Sequence, residues 1–401
     1  MDIPAPAALM GQIHELDGFA ELAARLPADP PVHLVGGAVR DLLLGRHPRE
    51  IDLVVEGDAA GVAHALGGEY TLHPRFGTAT VRLGGHTIDL AIARRESYAQ
   101  PGALPDVEPA DLAGDLARRD FTINAMAVAL NGDRAGELTA VPAAVGDLRA
   151  RRLRVLHDES FRDDPTRLLR MVRYAARLGF RPEPHTEVLA EQARDCGALA
   201  TVSDQRIAAE LHLLAREPDP IAAFGTLRAR GLDQAIQPGF GLTDPALAER
   251  ALRLLAPDGQ AELLVLGLAA ASVAEPARVW LALRAREAAV ADAVSRARGL
   301  ADRLARATRA SEIAEAVGGS PVEAVAAAGA LGPEAAARRW LEELRHVRSE
   351  ITGGDLLAAG VPRGPAIGSG LRAARAARLD GRARDREEEL AEALRAANGP
   401  R

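Results

Sequence analysis

Apolar residues fall in short β-rich runs over the first third of the chain and recur at helical spacing over the rest. "HLVGG" (33–37) and "IDLVV" (51–55) are two such runs, with room between them for a helix that begins after Gly37. "ATVRLGGHTIDLAIA" (79–93) reads as two strands around the turn Gly84-Gly85. From about residue 160 the strand signals end. Phe161, Leu168, Met171, Val172, Ala175 and Leu178 lie on one helical face. Ser320-Pro321-Val322-Glu323 has the form of a capping box with proline at the first helical position, and Gly332-Pro333-Glu334 opens another helix in the same way. Proline- and glycine-bearing breaks near 237–245 and 353–370 are candidate boundaries. The pattern predicts an α+β protein, a small mixed sheet with helices followed by an all-helical remainder.

Composition narrows the class. The chain has 401 residues, 48% of them hydrophobic, enough for two or more domains. One cysteine, Cys196, excludes an internal disulfide and a cysteine-rich zinc site and fits a reducing compartment. The N-terminus lacks a basic segment followed by an apolar core, so no signal peptide is expected. The longest apolar run, "LLVLGLAAASVA" (263–274), is far shorter than the roughly 20 residues a bilayer requires. A cytoplasmic protein with no membrane segment is the expectation.

The net charge of −7 weighs against a nucleic-acid partner, but its distribution changes the picture. All 49 basic residues are arginine. Residues 151–181 hold nine arginines against four acids, and 363–386 hold seven against two, a local excess of five in each. Arginine forks phosphate bidentately, so two such stretches can track an RNA backbone inside an acidic protein. A genome rich in G and C that writes arginine where others write lysine gives the same composition.

The candidate chemistry begins at Glu50 and Asp52, two apart in a β run and therefore on one face. Two carboxylates beside a phosphate-binding turn suit a divalent metal. Gly36-Gly37 lets the backbone approach a phosphate, with Arg40 in the helix that follows adding charge. Asp89, in "HTIDLAIA", is the natural third carboxylate on a neighbouring strand. In "DLARRDFTINAMAV" (115–128), Arg118 and Arg119 can grip a triphosphate while Asp120 and Asn124 reach a ribose hydroxyl. The same pattern also fits a solvated helix start followed by a buried run.

"FRDDPTRLLRMVRYAARLGF" (161–180) reads as a helix in which Asp164 and Arg167, three apart, are neighbours on one face. They make either a plain surface ion pair or a base reader. Cytosine and adenine each present an amino donor beside a ring-nitrogen acceptor. Uracil and guanine present the reverse, so a carboxylate with a guanidinium would accept C and A and reject the other two. Arg170, Arg173 and Arg177 continue the stripe and can meet phosphates.

Taken together, "VGGAVRDLLLG…EIDLVV", "DLARRDFTINAMA", "VGDLRARRLRVLHDESFRDDPTRLLRMVRYAARLGF" and "VSDQRIAAEL" resemble the class II tRNA nucleotidyltransferase and bacterial poly(A) polymerase family. The segment "ITGGDLLAAGVPRGPAIGSGLRAARAARLDGRARDREEEL" is similar to the tail of those enzymes. The resemblance implies a nucleotidyltransferase head (1–155), a helical neck that selects the base and binds RNA (156–240), a helical body (241–350) and a tRNA-binding tail (351–401). It implies two Mg²⁺ ions held by Glu50 and Asp52 with help from Asp89, and CTP and ATP as substrates. Arg118, Arg119 and Asp120 would hold ribose and triphosphate, and Asp164 with Arg167 would read the base. The partner would be tRNA, with Arg177, Arg363, Arg372, Arg375 and Arg378 on its acceptor stem and elbow, and no protein partner is required. Residues 94–112 fall where the family has a flexible loop, and their Gly, Pro and acidic content fits a connector. The family has aspartate at both metal positions, whereas this chain has Glu50 at the first. CCA addition is the implied activity. CC-only addition, A-only addition, poly(A) synthesis and a non-catalytic RNA-binding role remain open at this stage.

Overall fold

A computed structural model of the chain describes residues 3–48, 50–73, 77–274 and 285–398. They form two compact units, Met1–Ile207 and Ala208–Arg401.

Among its described residues the first unit has eleven strands, a short pair at Arg152–Leu153 and Arg181–Pro182 and nine others: β1 Val32–Val35, β2 Ile51–Val55, β3 Glu69–His73, β4 Thr78–Leu83, β5 His86–Ile92, β6 Arg94–Ser97, β7 Asp106–Pro109, β8 Met126–Ala129 and β9 Leu138–Ala140. Seven make one sheet in the order β3-β4-β5-β2-β1-β8-β9. All its neighbours are antiparallel except β2 and β5. The period-two rule is clear in β5, where Ile88 and Leu90 are buried and Thr87 and Asp89 are exposed. The predicted helix runs Gly37–Leu43 between β1 and β2, and Ala59–Leu66 follows β2 with Asp58 as its cap. Leu34, Val39, Leu53, Val62, Leu66 and Ile88 fill the core of this layer, each contributing about 1.5–3 kcal/mol of burial.

Four expectations change. The predicted helical face at 161–178 is divided into Ser160–Asp163 and Thr166–Leu178, because Pro165 cannot continue the first helix. Strand structure does not end at 160, since Arg181–Pro182 pairs in parallel with Arg152–Leu153. Residues 94–109 are not an irregular connector: β6 and β7 pair antiparallel from Arg94↔Pro109 to Ser97↔Asp106, with Arg95 and Glu108 in a cross-strand ion pair. β3, β8 and β9 carried no strand signal that the sequence reading used.

The second unit is helical throughout its described residues. Its largest core packs the alanine-rich helix Val322–Ala330 among Pro245–Leu254, Ala297–Arg306 and Glu334–Glu342, with small side chains allowing close helix approach. The break at 237–245 stands between Leu232–Ile236 and Pro245–Leu254. Within 353–370, the non-helical residues 359–364 separate Gly353–Ala358 from Pro365–Leu379. The capping box at Ser320 is not made, because the buried Glu323 carboxylate accepts instead from the Gln260 amide at 2.7 Å. Glu334 begins its helix as expected.

Candidate active site

The parallel β2–β5 ladder places Asp52 directly opposite Asp89. Glu50 stands exposed one residue ahead of β2. Thr80 on β4 lies across from Asp89 and its Oγ1 donates to Asp89 Oδ1 at 2.8 Å. Asp52 is partly buried, and its pKa is pushed up to about 6, by burial first and then by the Glu50 and Asp89 carboxylates. Arg119 and Arg170 oppose the shift without cancelling it. Three carboxylates thus meet with excess negative charge. Among the described residues, no three or more His, Cys, Asp and Glu side chains are placed to hold a metal by themselves.

On the other flank of β2, the chain leaves β1 through Gly36. This glycine has φ +67°, and a Cβ there would stand 2.8 Å from Arg119 Nη1. Only glycine satisfies both conditions. Gly37 begins the helix, so the double glycine keeps Arg119 directly over the turn.

Arg40 is engaged within the protein. It is 2% exposed, and its guanidinium bonds Asp41 and, at 2.6 Å through Nη1, Asn124 Oδ1. Placed at the fourth helical position, its side chain turns inward onto the Tyr174 ring. Asp120 and Asn124 are likewise engaged with the protein. Asn124 Nδ2 donates to Asp120 Oδ1 at 2.9 Å, and Arg170 Nε and Nη2 bind Asp120 Oδ2 at 2.8 and 2.7 Å. Burial works against ionisation of Asp120, but Arg170 and Asn124 outweigh it and hold the pKa near 2.

Arg118 and Arg119 share a hub that the sequence reading passed over. Asp115 is fully buried, taking Arg118 Nη2 on one oxygen at 2.7 Å and Arg119 Nη2 on the other at 2.8 Å. Burial raises its pKa, and the two guanidiniums bring it below the usual carboxylate range. The i, i+3 and i, i+4 spacing was the available signal. Arg118 Nη1 also reaches Glu96 Oε1 on β6 at 2.9 Å, tying the hairpin to the site.

Asp164 and Arg167 do not pair with each other. Pro165 puts Asp164 outside the Thr166–Leu178 helix, where its Oδ1 accepts from the Thr166 amide, Thr166 Oγ1 and Arg206 Nη2. Arg167 Nη1 donates to Ser160 Oγ, and Nη2 to the Arg118 carbonyl. Arg206, in "VSDQRIAAEL", is a second missed residue; it also donates to the Gly102 carbonyl in the β6–β7 hairpin. Tyr174 is a third. The guanidiniums of Arg40, Arg170, Arg173 and Arg177 stand 5.2–5.6 Å from its ring centre, within cation–π range. Arg170 Nη2 also donates to its hydroxyl.

In the second unit, Arg363, Arg372 and Arg375 are exposed. Arg378 differs, because its guanidinium bonds Glu350 and the Arg384 carbonyl and lies 3.4 Å from Glu389. These contacts tie its helix to the segments around Glu350 and Glu389.

The fold and this constellation place the first unit in a defined class. Residues 32–154 match the poly(A) polymerase head domain model. A CC-adding tRNA nucleotidyltransferase of Deinococcus radiodurans is 38% identical over 383 residues, covering 94% of this chain and 92% of that protein. An A-adding tRNA nucleotidyltransferase of Halalkalibacterium halodurans is 44% identical over 235 residues, or 57% of this chain. The chain spans 54% of that protein's length, and 45% and 27% of the A-adding relatives from Geobacter sulfurreducens and Aquifex aeolicus. Among solved structures, a CCA-adding enzyme in apo form II superposes with a TM-score of 0.81 at 31% identity, covering 98% of this chain and 99% of that one. A CCA-adding enzyme bound to CTP gives 0.79 at 29% and covers both chains fully. The Thermotoga maritima enzyme complexed with tRNA gives 0.71 at 30%, covering 94% and 98%. The chain belongs to the tRNA nucleotidyltransferase family. No helix among its described residues is long and apolar enough to cross a membrane.

Proposed function

We propose that this protein extends the 3′ end of tRNA with C and A without a template, using CTP and ATP and releasing pyrophosphate. The observation that carries the reading is the juxtaposition of Asp52 and Asp89 across one ladder, with Glu50 beside them and the Arg119-covered glycine turn on the adjoining strand. Excess carboxylate charge on one flank and a guanidinium over bare backbone on the other suit a nucleoside triphosphate with its metal.

The donor set fits Mg²⁺, which is commonly held by one or two carboxylates together with substrate phosphates. Glu50 and Asp52 would hold two such ions with Asp89 assisting; when bound they lower the pKa of the attacking hydroxyl and offset charge on the departing pyrophosphate. Burial first, and then repulsion from Glu50 and Asp89, lift the Asp52 pKa, and a bound cation would offset both. Glu50 lies outside the ladder, and its extra methylene lets an exposed backbone position still reach inward.

Arg118 and Arg119, fixed by Asp115, present their remaining donor edges to the triphosphate. Asp120, Asn124, Arg40 and Arg170 form the scaffold beneath, and ribose contact through Asp120 or Asn124 would require one of these bonds to open. Asp164 and Arg167 are each anchored by third parties, so each meets a base edge independently. Arg173 and Arg177 would line the approach of RNA, with Arg363, Arg372 and Arg375 gripping the tRNA away from its end. The division into head, neck, body and tail belongs to the same reading, as does a cytoplasmic location.

A second reading, CC-only addition, is favoured by the relative that spans nearly the whole of both chains and bears that name. A tRNA transcript lacking CCA, incubated with Mg²⁺ and CTP, ATP or both, separates the two. Two additions with CTP and a third only with ATP support full CCA addition; arrest at CC supports the narrower activity. Growth into poly(A) assigns the third product class. Extension by ATP only of a transcript already ending in CC assigns A-only addition, and no extension of either transcript overturns the catalytic reading.

A further inference from the structure

The short helix Leu112–Ala117 carries Asp115 and delivers Arg118 and Arg119 from its C-terminal end. It buries Leu112 and Leu116 against Val35, Val54, Ala93 and Ala127. Apolar packing of this kind is not directional, so by itself it lets a short helix slide or pivot. Arg119 tolerates little such movement, because a Cβ on Gly36 would already stand 2.8 Å from its Nη1.

Local bonds do not settle where the helix points. Asp111 caps it by accepting from the Gly114 amide at 2.9 Å, and Asp115 grips both guanidiniums, but these residues travel with the helix. At its start, two bonds come from outside. The Ala110 amide donates to the Ala93 carbonyl at 2.9 Å and fixes the entry of the chain. The Leu112 amide, a donor that a helix start leaves without an internal partner, donates to Glu56 Oε2 at 2.9 Å. Two fixed points, two residues apart, set a direction.

Glu56 is itself held. It follows β2 directly, its amide donates to the Pro31 carbonyl at 3.0 Å, and its Oε1 lies 2.9 Å from His33 Nε2 on β1. His33 is buried, so the carboxylate is pinned between the sheet and the helix.

We propose that Glu56 is a positioning residue for the triphosphate arginines: by accepting from the Leu112 amide it sets the direction of the helix that places Arg119 over the Gly36 turn and Arg118 beside it. The inference rests on the triphosphate role given to those arginines above.

The test measures KM for CTP and for the acceptor tRNA separately in wild type, Glu56→Ala and Glu56→Gln. Glu56→Ala should raise the CTP KM about tenfold, the scale of a small misplacement of a binding group, and leave the acceptor KM within about twofold. Glu56→Gln keeps an acceptor oxygen for the amide and should return the CTP KM to within about threefold of wild type. Leu112→Pro removes the donor instead, at a helix position that suits proline, and should match Glu56→Ala. Combining the two should add nothing further. Should either variant fail to fold, the other decides. An unchanged CTP KM, both KM values rising together, a glutamine no better than alanine, or additive losses would each overturn the inference. Arg119→Ala, run alongside, reports on the reading beneath it. If that variant leaves the CTP KM unchanged, the triphosphate role falls and the inference with it; if it raises the CTP KM and Glu56→Ala does not, only the inference falls.

Discussion

Two sets of carboxylates in the first unit sit close together and behave oppositely. Asp115 and Asp120 are buried, saturated by arginine and asparagine, and held below the ordinary carboxylate range. Asp52, with Glu50 and Asp89, has like charges for neighbours and a pKa lifted to about 6. The first set spends its charge inside the protein and makes a rigid frame. The second keeps its charge for something that arrives. The family resemblance put Asp120 with the nucleotide and gave Asp115 no role; only partners and burial join the two.

The comparison can be broken most directly at Asp52. Asp52→Asn should lower extension by at least about a thousandfold, several kcal/mol of lost transition-state stabilisation. Its metal-free melting temperature should stay level or rise, since a repelled charge has gone. A loss of stability would place Asp52 with the frame.

Asp120→Asn should do the reverse. Only the Asp120 end of this pair is buried, Arg170 being about a third exposed, so the loss is about 1–3 kcal/mol of unfolding free energy, readable by denaturant titration. The effect depends on pH in a fixed direction. With a folded pKa near 2 against 3.8 unfolded, the Asp120 contribution is present above about pH 4 and is lost as pH falls toward 2. The gap between wild type and Asp120→Asn should therefore close over that window.

Smaller effects sharpen the picture. Glu50→Asp shortens the reach of an exposed residue and should change kcat by about tenfold or less, with no effect on stability. A hundredfold gain would mean that Glu50 had been holding the site back. Tyr174→Phe removes one hydroxyl and the bond from Arg170, at about 1 kcal/mol by thermal unfolding, with the ring and its guanidinium neighbours kept.

Much of this was legible in the sequence because local pattern and tertiary outcome agree. The β1 and β2 runs, the Gly84-Gly85 turn and the opposition of Asp52 to Asp89 follow from period-two alternation and turn chemistry. The failures have physical causes. Asp164 and Arg167 read as helix neighbours until Pro165 separates them. Arg40 reads as a phosphate ligand because its position on the helix does not reveal that Asn124 and Tyr174, far along the chain, draw it inward. Asp115 looks like any helical acid until burial leaves it alone with two guanidiniums. Ser320 has the letters of a cap, but Glu323 is drawn away by a distant amide. In each case the deciding partner lies outside the window in which a motif is read.

The parallel pairing of β2 with β5 has one more consequence. It acts as a ruler, with the length of the β4–β5 turn as its zero mark. Adding or deleting one residue at Gly84-Gly85 would slide β5 by a single step and turn Asp89 to the opposite face. Sequence drift that an exposed turn would ordinarily absorb is therefore closed to this one, although neither glycine need ever touch a substrate.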